Sequence, residues 1–351
     1  MKVAVTGGGS GGHIFPALAV ALRLIELGHE VSYVGAEGGM ETRIVPEAGV
    51  PFHALPAGKY NRNTLQPREA WKAVRGLMAA RALLRRLRPR VVLSTGGFAG
   101  FPFAFAAENA GVPVVLLEQN ATLGLANRWL APRARRIALA MDVSLPRKLA
   151  FKALVTGMPV REERREARAA KEALGFDPER PLLLVMGGSQ GSLALNRALP
   201  ELLEPYLGRW QVLHQTGERG LEAARERVRG LADYRTEAFV DAILAWSAAD
   251  AAVTRAGATT LAEAAYHGVP LLAVPLPGGV DGGAQERNAR FYATREAALA
   301  ADQEKPGELA AQLERLLEDA DLRARLRGHL AELSPAGATE RLAHLLLEVA
   351  E

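Results

Sequence analysis

His13 stands directly behind a run of glycines, Gly7-Gly8-Gly9-Ser10-Gly11-Gly12, and ahead of an apolar-periodic stretch from Pro16 to Leu27. Glycines permit positive φ and close approach of the backbone to a ligand, and a following helix offers unpaired N–H groups and a positive dipole end. An imidazole near that end has its pKa lowered, and neutral imidazole can act as a general base near pH 7. The same ring can equally well do no more than hydrogen-bond a backbone group or a phosphate, and the residues alone do not choose. A second glycine turn, Gly187-Gly188-Ser189-Gln190-Gly191-Ser192, follows the apolar run Leu182–Met186 and precedes a run from Leu193. The segment richest in polar chemistry begins at Arg255-Ala256-Gly257-Ala258-Thr259-Thr260-Leu261-Ala262-Glu263 and closes at Gln285-Glu286-Arg287-Asn288. A glycine turn at a helix start can bind a diphosphate through its N–H groups. Glu263, three or four residues into that helix, can take both hydroxyls of a ribose, and Gln285 and Asn288 can share a face toward sugar hydroxyls.

Both glycine turns are written strand, loop, helix. Val3–Thr6, Val31–Val34, Val91–Ser94 and Val114–Leu117 read as buried strands, being short apolar runs bounded by turn residues, with Gly28 as a helix C-cap between the first two. The second half repeats the scheme near Leu182–Met186, Gln211–Gln215, Ala251–Thr254 and Leu271–Val274. Alternating strand and helix predicts parallel sheets with helices on both faces. The expected fold class is α/β, with two Rossmann-like domains facing across a cleft. Residues 1–157 form the first, 158–334 the second, and 335–351 a C-terminal helical run that returns to the first. Ligands of such sheets bind beyond the carboxyl ends of the strands. The glycine turns, Thr95-Gly96-Gly97-Phe98, Glu118-Gln119-Asn120 and the Arg255 segment all fall there.

With 351 residues the chain can fill two cores, and its 49% hydrophobic and 23% charged content is that of a globular enzyme. It has no cysteine, which excludes disulfides, thiolate metal ligands and a cysteine nucleophile. No signal peptide is visible at the start, because strand residues begin at Lys2. The stretch from Phe98 to Leu117 is broken by Pro102, Glu108-Asn109 and Pro113 and does not read as a membrane span. The net charge of +4 is unevenly spread: between Lys59 and Arg90 ten basic residues face the single acid Glu69, a local +9 that leaves −5 for the rest. Trp71, Val74, Leu77 and Met78 recur there at helical spacing, with Leu84 and Leu87 further on, among Lys72, Arg75, Arg81 and Arg85. Such a helix can lie on an anionic membrane surface, or it can pack its apolar stripe on its own domain and leave its arginines in water. Nothing resembles a stacking platform or recognition helix for nucleic acid.

Gly7-x-Gly9-x-x-Gly12 satisfies the dinucleotide fingerprint literally, with Glu37 where a ribose-binding acid is expected, so an NAD-linked oxidoreductase is one alternative. It leaves the second glycine turn and the Arg255–Asn288 series without a use. A non-catalytic sugar-nucleotide sensor is another.

The full series of motifs resembles the inverting glycosyltransferases of GT-B fold, most closely those of peptidoglycan synthesis. The likeness rests on Gly8–Pro16 with its Gly-Gly-His-Ile-Phe-Pro ending, Gly96-Gly97-Phe98, Glu118-Gln119-Asn120, Pro159-Val160-Arg161, Gly187–Gly191, Arg255–Glu263 and Gln285–Asn288, in the family's order along nearly the whole chain. It implies a UDP-N-acetylglucosamine donor on the second domain. Glu263 would bind the ribose, Gly188, Ser189, Gln190 and Gly191 with Ala258 and Thr259 the diphosphate, Arg161 the nucleotide, and Asn120, Gln285 and Asn288 the sugar. It implies a polyprenyl-diphosphate-linked muramoyl-pentapeptide acceptor on the first domain, near Ser10, Gly11 and Gly12, with His13 as base and Glu118 as the second contender. No cofactor and no metal ion is required; Asp319-Ala320-Asp321 reads as a solvated helix face. A place at the cytoplasmic face of the membrane, held by the basic helix, follows from the acceptor. Related enzymes with much of the same donor-site pattern glycosylate diacylglycerol, which is the alternative acceptor. Met158 and Ala284 depart from the family's asparagine and its histidine or glutamine.

Overall fold

The computed structural model describes residues 1–58, 67–188 and 190–351, which form two compact units, Met1–Val160 with Pro335–Glu351 and Arg161–Ser334. In the first unit seven strands run in chain order: β1 (Lys2–Thr6), β2 (Glu30–Ala36), β3 (Phe52–Leu55), β4 (Val91–Ser94), β5 (Val114–Glu118), β6 (Arg136–Leu139) and β7 (Ala153–Val155). They pair in the order β3-β2-β1-β4-β5-β6-β7, every pair parallel. β1, β4 and β5 are covered on both faces, which is why they read as unbroken apolar runs rather than alternating ones.

One face packs Ile14, Ala17, Ala21 and Leu24 of the Gly11–Glu26 helix together with Leu342, Leu345 and Leu346 of the Ala338–Ala350 helix. The C-terminal segment is therefore part of the first unit's core, tied further by Arg341 Nε to the Thr156 carbonyl at 3.0 Å. The other face is covered by the Pro67–Leu87 and Gly97–Asn109 helices through Ala80, Leu83, Leu84, Phe103 and Ala107. Gly76 lets the first of these approach the Pro56 carbonyl, where a Cβ would collide. The Phe98–Leu117 stretch is thus a buried helix followed by β5. Among the described residues no helix is long and apolar enough to cross a membrane.

The second unit contains β8 (Leu182–Met186), β9 (Gln211–Gln215), β10 (Tyr234–Glu237), β11 (Ala251–Thr254), β12 (Leu271–Ala273) and β13 (Leu299–Ala300), in the order β10-β9-β8-β11-β12-β13, again all parallel. Its core joins Leu183, Val185, Val253 and Leu272 to Leu195, Leu199, Leu313 and Leu326 from the flanking helices. The strand order reverses between β1 and β4 in one unit and between β8 and β11 in the other. Open parallel sheets form their ligand crevices at such switch points. Each glycine turn leaves the sheet at one of them.

Candidate functional site

In the first unit β1 ends in the glycine turn and β4 ends at Thr95. The Gly11–Glu26 helix begins inside the glycine run, so His13 is its third residue. The imidazole Nδ1 lies 2.7 Å from the Thr95 carbonyl oxygen. A carbonyl only accepts, so Nδ1 carries the proton and Nε2 is left as the acceptor of the neutral ring. Thr95 Oγ1 donates back to the His13 carbonyl at 2.9 Å. Gly97 (φ 74°) completes the wall: a Cβ there would stand 2.8 Å from the Gly8 carbonyl oxygen and 3.2 Å from the imidazole. The His13 pKa is lowered, and the main cause is burial rather than the helix dipole expected from sequence. The Thr95 carbonyl and the charges of Glu118 and Glu41 oppose it.

Glu118, the other proposed base, ends β5 as a buried carboxylate with both oxygens in use. Oε1 accepts from the Asn120 backbone N–H at 3.0 Å and from its side-chain amide at 3.4 Å; Oε2 accepts from Gly124 N at 2.8 Å and Asn127 Nδ2 at 2.9 Å. It anchors the loop after β5, and Asn120 belongs to that anchor. Ser10 holds the N-cap position with an exposed side chain that makes no capping bond. Gly11 is buried and Gly12 half-buried beside it.

In the second unit Ser192 caps the Leu193–Leu203 helix, accepting from Leu195 N at 3.3 Å, and also accepts from Arg255 Nη2 at 2.7 Å. Gly191 (φ 71°) lies where any Cβ would strike the Thr216 carbonyl. Gly188 (φ 85°) faces open space and Gln190 is exposed. Ser189 lies outside the described residues. Arg255 is buried at the end of β11; its guanidinium also donates to the Val274 and Pro275 carbonyls and to Gln303, and binds the second glycine turn to the loop after β12.

The Ala258–His267 helix starts behind Gly257, which supplies no side-chain cap, and Thr259 Oγ1 is buried there without a partner. Its first N–H groups and this hydroxyl are the unfilled polar positions an anion would take. Glu263 is the sixth residue of the helix, two or three positions deeper than its spacing from the glycine turn suggests. Burial raises its pKa to about 7, against the opposing pull of the Trp246 indole N–H and the Arg161 charge. Trp246 Nε1 donates to Glu263 Oε2 at 3.2 Å, and the indole stacks on His267 with centroids 6.4 Å apart. Arg161 itself is exposed.

Curated relatives match along the whole chain. A transferase of Thermus thermophilus, named UDP-N-acetylglucosamine–N-acetylmuramyl-(pentapeptide) pyrophosphoryl-undecaprenol N-acetylglucosamine transferase, is 54% identical over 344 residues, 98% of each chain. A protein of the same name from Alkalilimnicola ehrlichii is 39% identical over 100% of this chain and 99% of its own. The glycosyltransferase family 28 N-terminal domain matches residues 3–139 and the family's C-terminal domain residues 182–333. The chain belongs to glycosyltransferase family 28. Among solved structures, Acinetobacter baumannii MurG superposes with a TM-score of 0.79 at 30% identity, covering 99% of both chains. The glycotransferase of kitacinnamycin, at 19% identity and a TM-score of 0.73, shares the fold. Two Rossmann-like halves and the GT-B class are thereby established, and the oxidoreductase alternative falls.

Within this family 28 chain several expectations need correction. Asn288 is fully buried and gives its amide to the Ala256 carbonyl at 3.1 Å, so it braces the Arg255–Gly257 loop instead of facing a sugar. Gln285 is half-buried, and its Oε1 accepts from Leu276 N at 3.2 Å. Glu37 is exposed; the acid that reaches the first glycine turn is Glu41. Asp319 is more than part of a solvated face, since its carboxylate caps the Ala320–Glu332 helix through Leu322 N at 2.8 Å. Met158 is buried, and Ala284 begins a helix whose first N–H groups bond Asp281. Glu41, Trp246 and Asp281 are the residues that sequence reasoning did not single out, and Thr95 entered it only within the Thr95–Phe98 motif at the strand end. Trp246 and Asp281 carry no signature outside the fold.

Proposed function

We propose that the chain transfers N-acetylglucosamine from UDP-N-acetylglucosamine to the 4-hydroxyl of the muramoyl sugar of undecaprenyl-diphospho-muramoyl-pentapeptide, with inversion. The full-length likeness to transferases of that name supports the substrates, and the single structural observation that carries the chemistry is the free Nε2 of His13. The acceptor oxygen attacks the anomeric carbon from the side opposite UDP and gives its proton to His13 Nε2. The bond from that carbon to the diphosphate oxygen breaks with both electrons leaving on UDP, and an α-linked donor gives a β-linked product. Charge on the departing diphosphate is met by the Gly188–Gly191 turn, the start of the Ala258–His267 helix with Thr259, and Arg161. Glu263 takes the ribose diol and Gln285 a sugar hydroxyl. The acceptor diphosphate lies at the open end of the Gly11–Glu26 helix, at Ser10, Gly11 and Gly12. Glu118 and Asn120 serve by holding their loop, since a base role for Glu118 would require giving up at least one of the four hydrogen bonds that fill its two oxygens.

The place of action is the cytoplasmic membrane surface. On the Pro67–Leu87 helix Trp71 and Met78 are 62% and 55% exposed, Val74 is exposed with them, and Lys72, Arg75, Arg81 and Arg85 are exposed too. Leu77 is half-buried, whereas Leu84 packs into the core. The stripe therefore divides: its far end packs on its own unit, and its near end offers apolar side chains within a basic field, as a surface for anionic lipid requires. Lys59 and Arg62 lie outside the described residues.

The test is UDP release from UDP-N-acetylglucosamine with the muramoyl-pentapeptide diphosphoryl lipid or with diacylglycerol. Release dependent on the muramoyl lipid is expected. Release with diacylglycerol alone would move the chain to glycolipid synthesis, and release with neither, despite UDP binding, would leave a sensor.

A further inference from the structure

Glu41 opens the Glu41–Glu47 helix after β2, yet its side chain turns inward and is fully buried. Oε1 accepts from Ala36 N at 3.0 Å and Oε2 accepts from Gly9 N at 3.2 Å. Gly8, Gly35 and Gly39 all border it so closely that a Cβ on any of them would strike the Glu41 side chain. Three glycines thus clear space for one carboxylate. No arginine, lysine or histidine forms an ion pair with it among the described residues; its support is one backbone N–H of the turn, from Gly9, and one from Ala36 at the end of β2. Tyr33 braces the same turn, its hydroxyl donating to the Gly7 carbonyl at 3.1 Å.

A glycine turn at a strand end ordinarily presents such an amide to a phosphate. Here the amide of Gly9 already holds an anion that belongs to the fold. We propose that Glu41 is a positioning residue of this half-site, a resident counter-anion that fixes the first glycine turn beneath His13 and keeps phosphate off the Gly9 amide. The proposal rests on reading His13 as the base. Phosphate of the acceptor is then confined to the Gly11 and Gly12 end of the turn. Two carboxylates lie close enough for their charges to act on the imidazole, Glu118 from the end of β5 and, more weakly, Glu41 from the helix after β2. Both favour its protonated form, which is the form it reaches as it takes the acceptor proton.

The experiment uses the full chain and Glu41→Gln, which keeps shape and an accepting oxygen but loses the charge. With UDP saturating the second unit, inorganic pyrophosphate is titrated while the melting temperature is followed, and the pH profile of kcat/KM for the acceptor is measured. Glu41→Gln is expected to be protected more strongly by pyrophosphate than the parent, because the Gly9 amide is added to the Gly11 and Gly12 end, and its acid limb is expected to move to lower pH as a charge that favours the imidazolium is lost. An unmoved acid limb, or equal pyrophosphate protection in both proteins, overturns the proposal. Should Glu41→Gln not fold, Glu41→Asp decides: turnover falls as the shorter side chain releases Gly9 while donor KM holds, and an unchanged turnover overturns it. His13→Ala separates the two readings. Full turnover in that variant removes the base, and the pyrophosphate response still judges Glu41.

Discussion

His13 and Thr95 exchange two hydrogen bonds, imidazole Nδ1 to the Thr95 carbonyl at 2.7 Å and Thr95 hydroxyl to the His13 carbonyl at 2.9 Å. The pair joins the first helix of the unit to the end of β4, across the reversal in strand order. Gln119 adds its amide to the same Thr95 carbonyl at 3.4 Å. The imidazole is therefore held in one tautomer and one orientation by backbone that the sheet itself fixes, and Nε2 has no freedom to turn away. His13→Ala is expected to lower kcat by about 10²–10⁴-fold, the range of a general base, with donor KM within about twofold. Because burial lowers the imidazole pKa, the acid limb of kcat/KM belongs below the ordinary histidine value of 6.5. Steady-state kinetics across pH check both, and a limb above 6.5 would contradict the assignment.

Glu263 predicts a pH dependence of opposite sense on the donor side. Its pKa is raised to about 7 from 4.5, so the folded state holds this proton more firmly than the unfolded chain does. Stability of the second unit should then fall as pH rises from about 4.5 to 7. In the proposed ribose-binding role Glu263 accepts both hydroxyls as the ionised carboxylate, so the rise in melting temperature caused by UDP should be larger at about pH 8 than at about pH 6. In Glu263→Gln that difference should vanish.

Trp246 is buried, and its N–H is the one side-chain donor that reaches Glu263 among the described residues. Trp246→Phe keeps an aromatic ring beside His267 and removes only the donor. The Glu263 pKa should climb further, moving the midpoint of UDP binding to higher pH and weakening binding near neutrality by about tenfold, the worth of a hydrogen bond to a charged group. Turnover at saturating donor should stay near the parent value. A titration of UDP affinity against pH distinguishes this from simple loss of packing, which would leave the midpoint in place.

Asn288 separates a bracing residue from a ligand contact. Its amide is sealed inside the unit against the Ala256 carbonyl, so Asn288→Ala should cost about 1–3 kcal/mol of stability through an unsatisfied buried acceptor. Donor KM, measured well below the melting temperature, should not change. A large rise in KM without loss of stability would restore the sugar-contact role that spacing alone suggested.

The contrast shows what the sequence could carry. Central strands such as β4, β8 and β11 are legible to the residue because burial on both faces leaves a nearly continuous apolar run, and β9 is legible from its place in the strand–helix alternation although Gln211, His214 and Gln215 are buried in it. The strands missed are short or lie toward a sheet edge: β7 is three residues with two exposed, and β10 alternates buried and half-buried positions around Arg235 and Glu237. The glycine turns and His13 are visible because special backbone geometry demands special residues. Side-chain direction is not visible. Gln285 and Asn288 share a helix face by spacing, yet both turn toward the neighbouring loops. Glu41 is invisible for the same reason, since nothing local says that this acid folds inward while Glu37 stays in water.

The exposed end of the Pro67–Leu87 helix yields the last prediction. Trp71 and Met78 stand free of the core, so Trp71→Ala with Met78→Ala should leave stability within about 0.5 kcal/mol for each change. Binding to vesicles containing anionic lipid should weaken markedly, because both apolar anchors are gone while the basic residues remain. Replacing Arg75, Arg81 and Arg85 by glutamine should instead remove the salt-sensitive part of binding, worth about 1 kcal/mol per charge near an anionic surface. UDP release with a detergent-dispersed acceptor should be untouched by either set, since neither side chain set belongs to the Thr95 or Glu263 networks. Vesicle co-sedimentation at low and high salt reads the two contributions apart. Equal binding of the parent protein to neutral and anionic vesicles would remove the electrostatic part of the proposal, and unchanged binding of the double alanine variant would remove the apolar part.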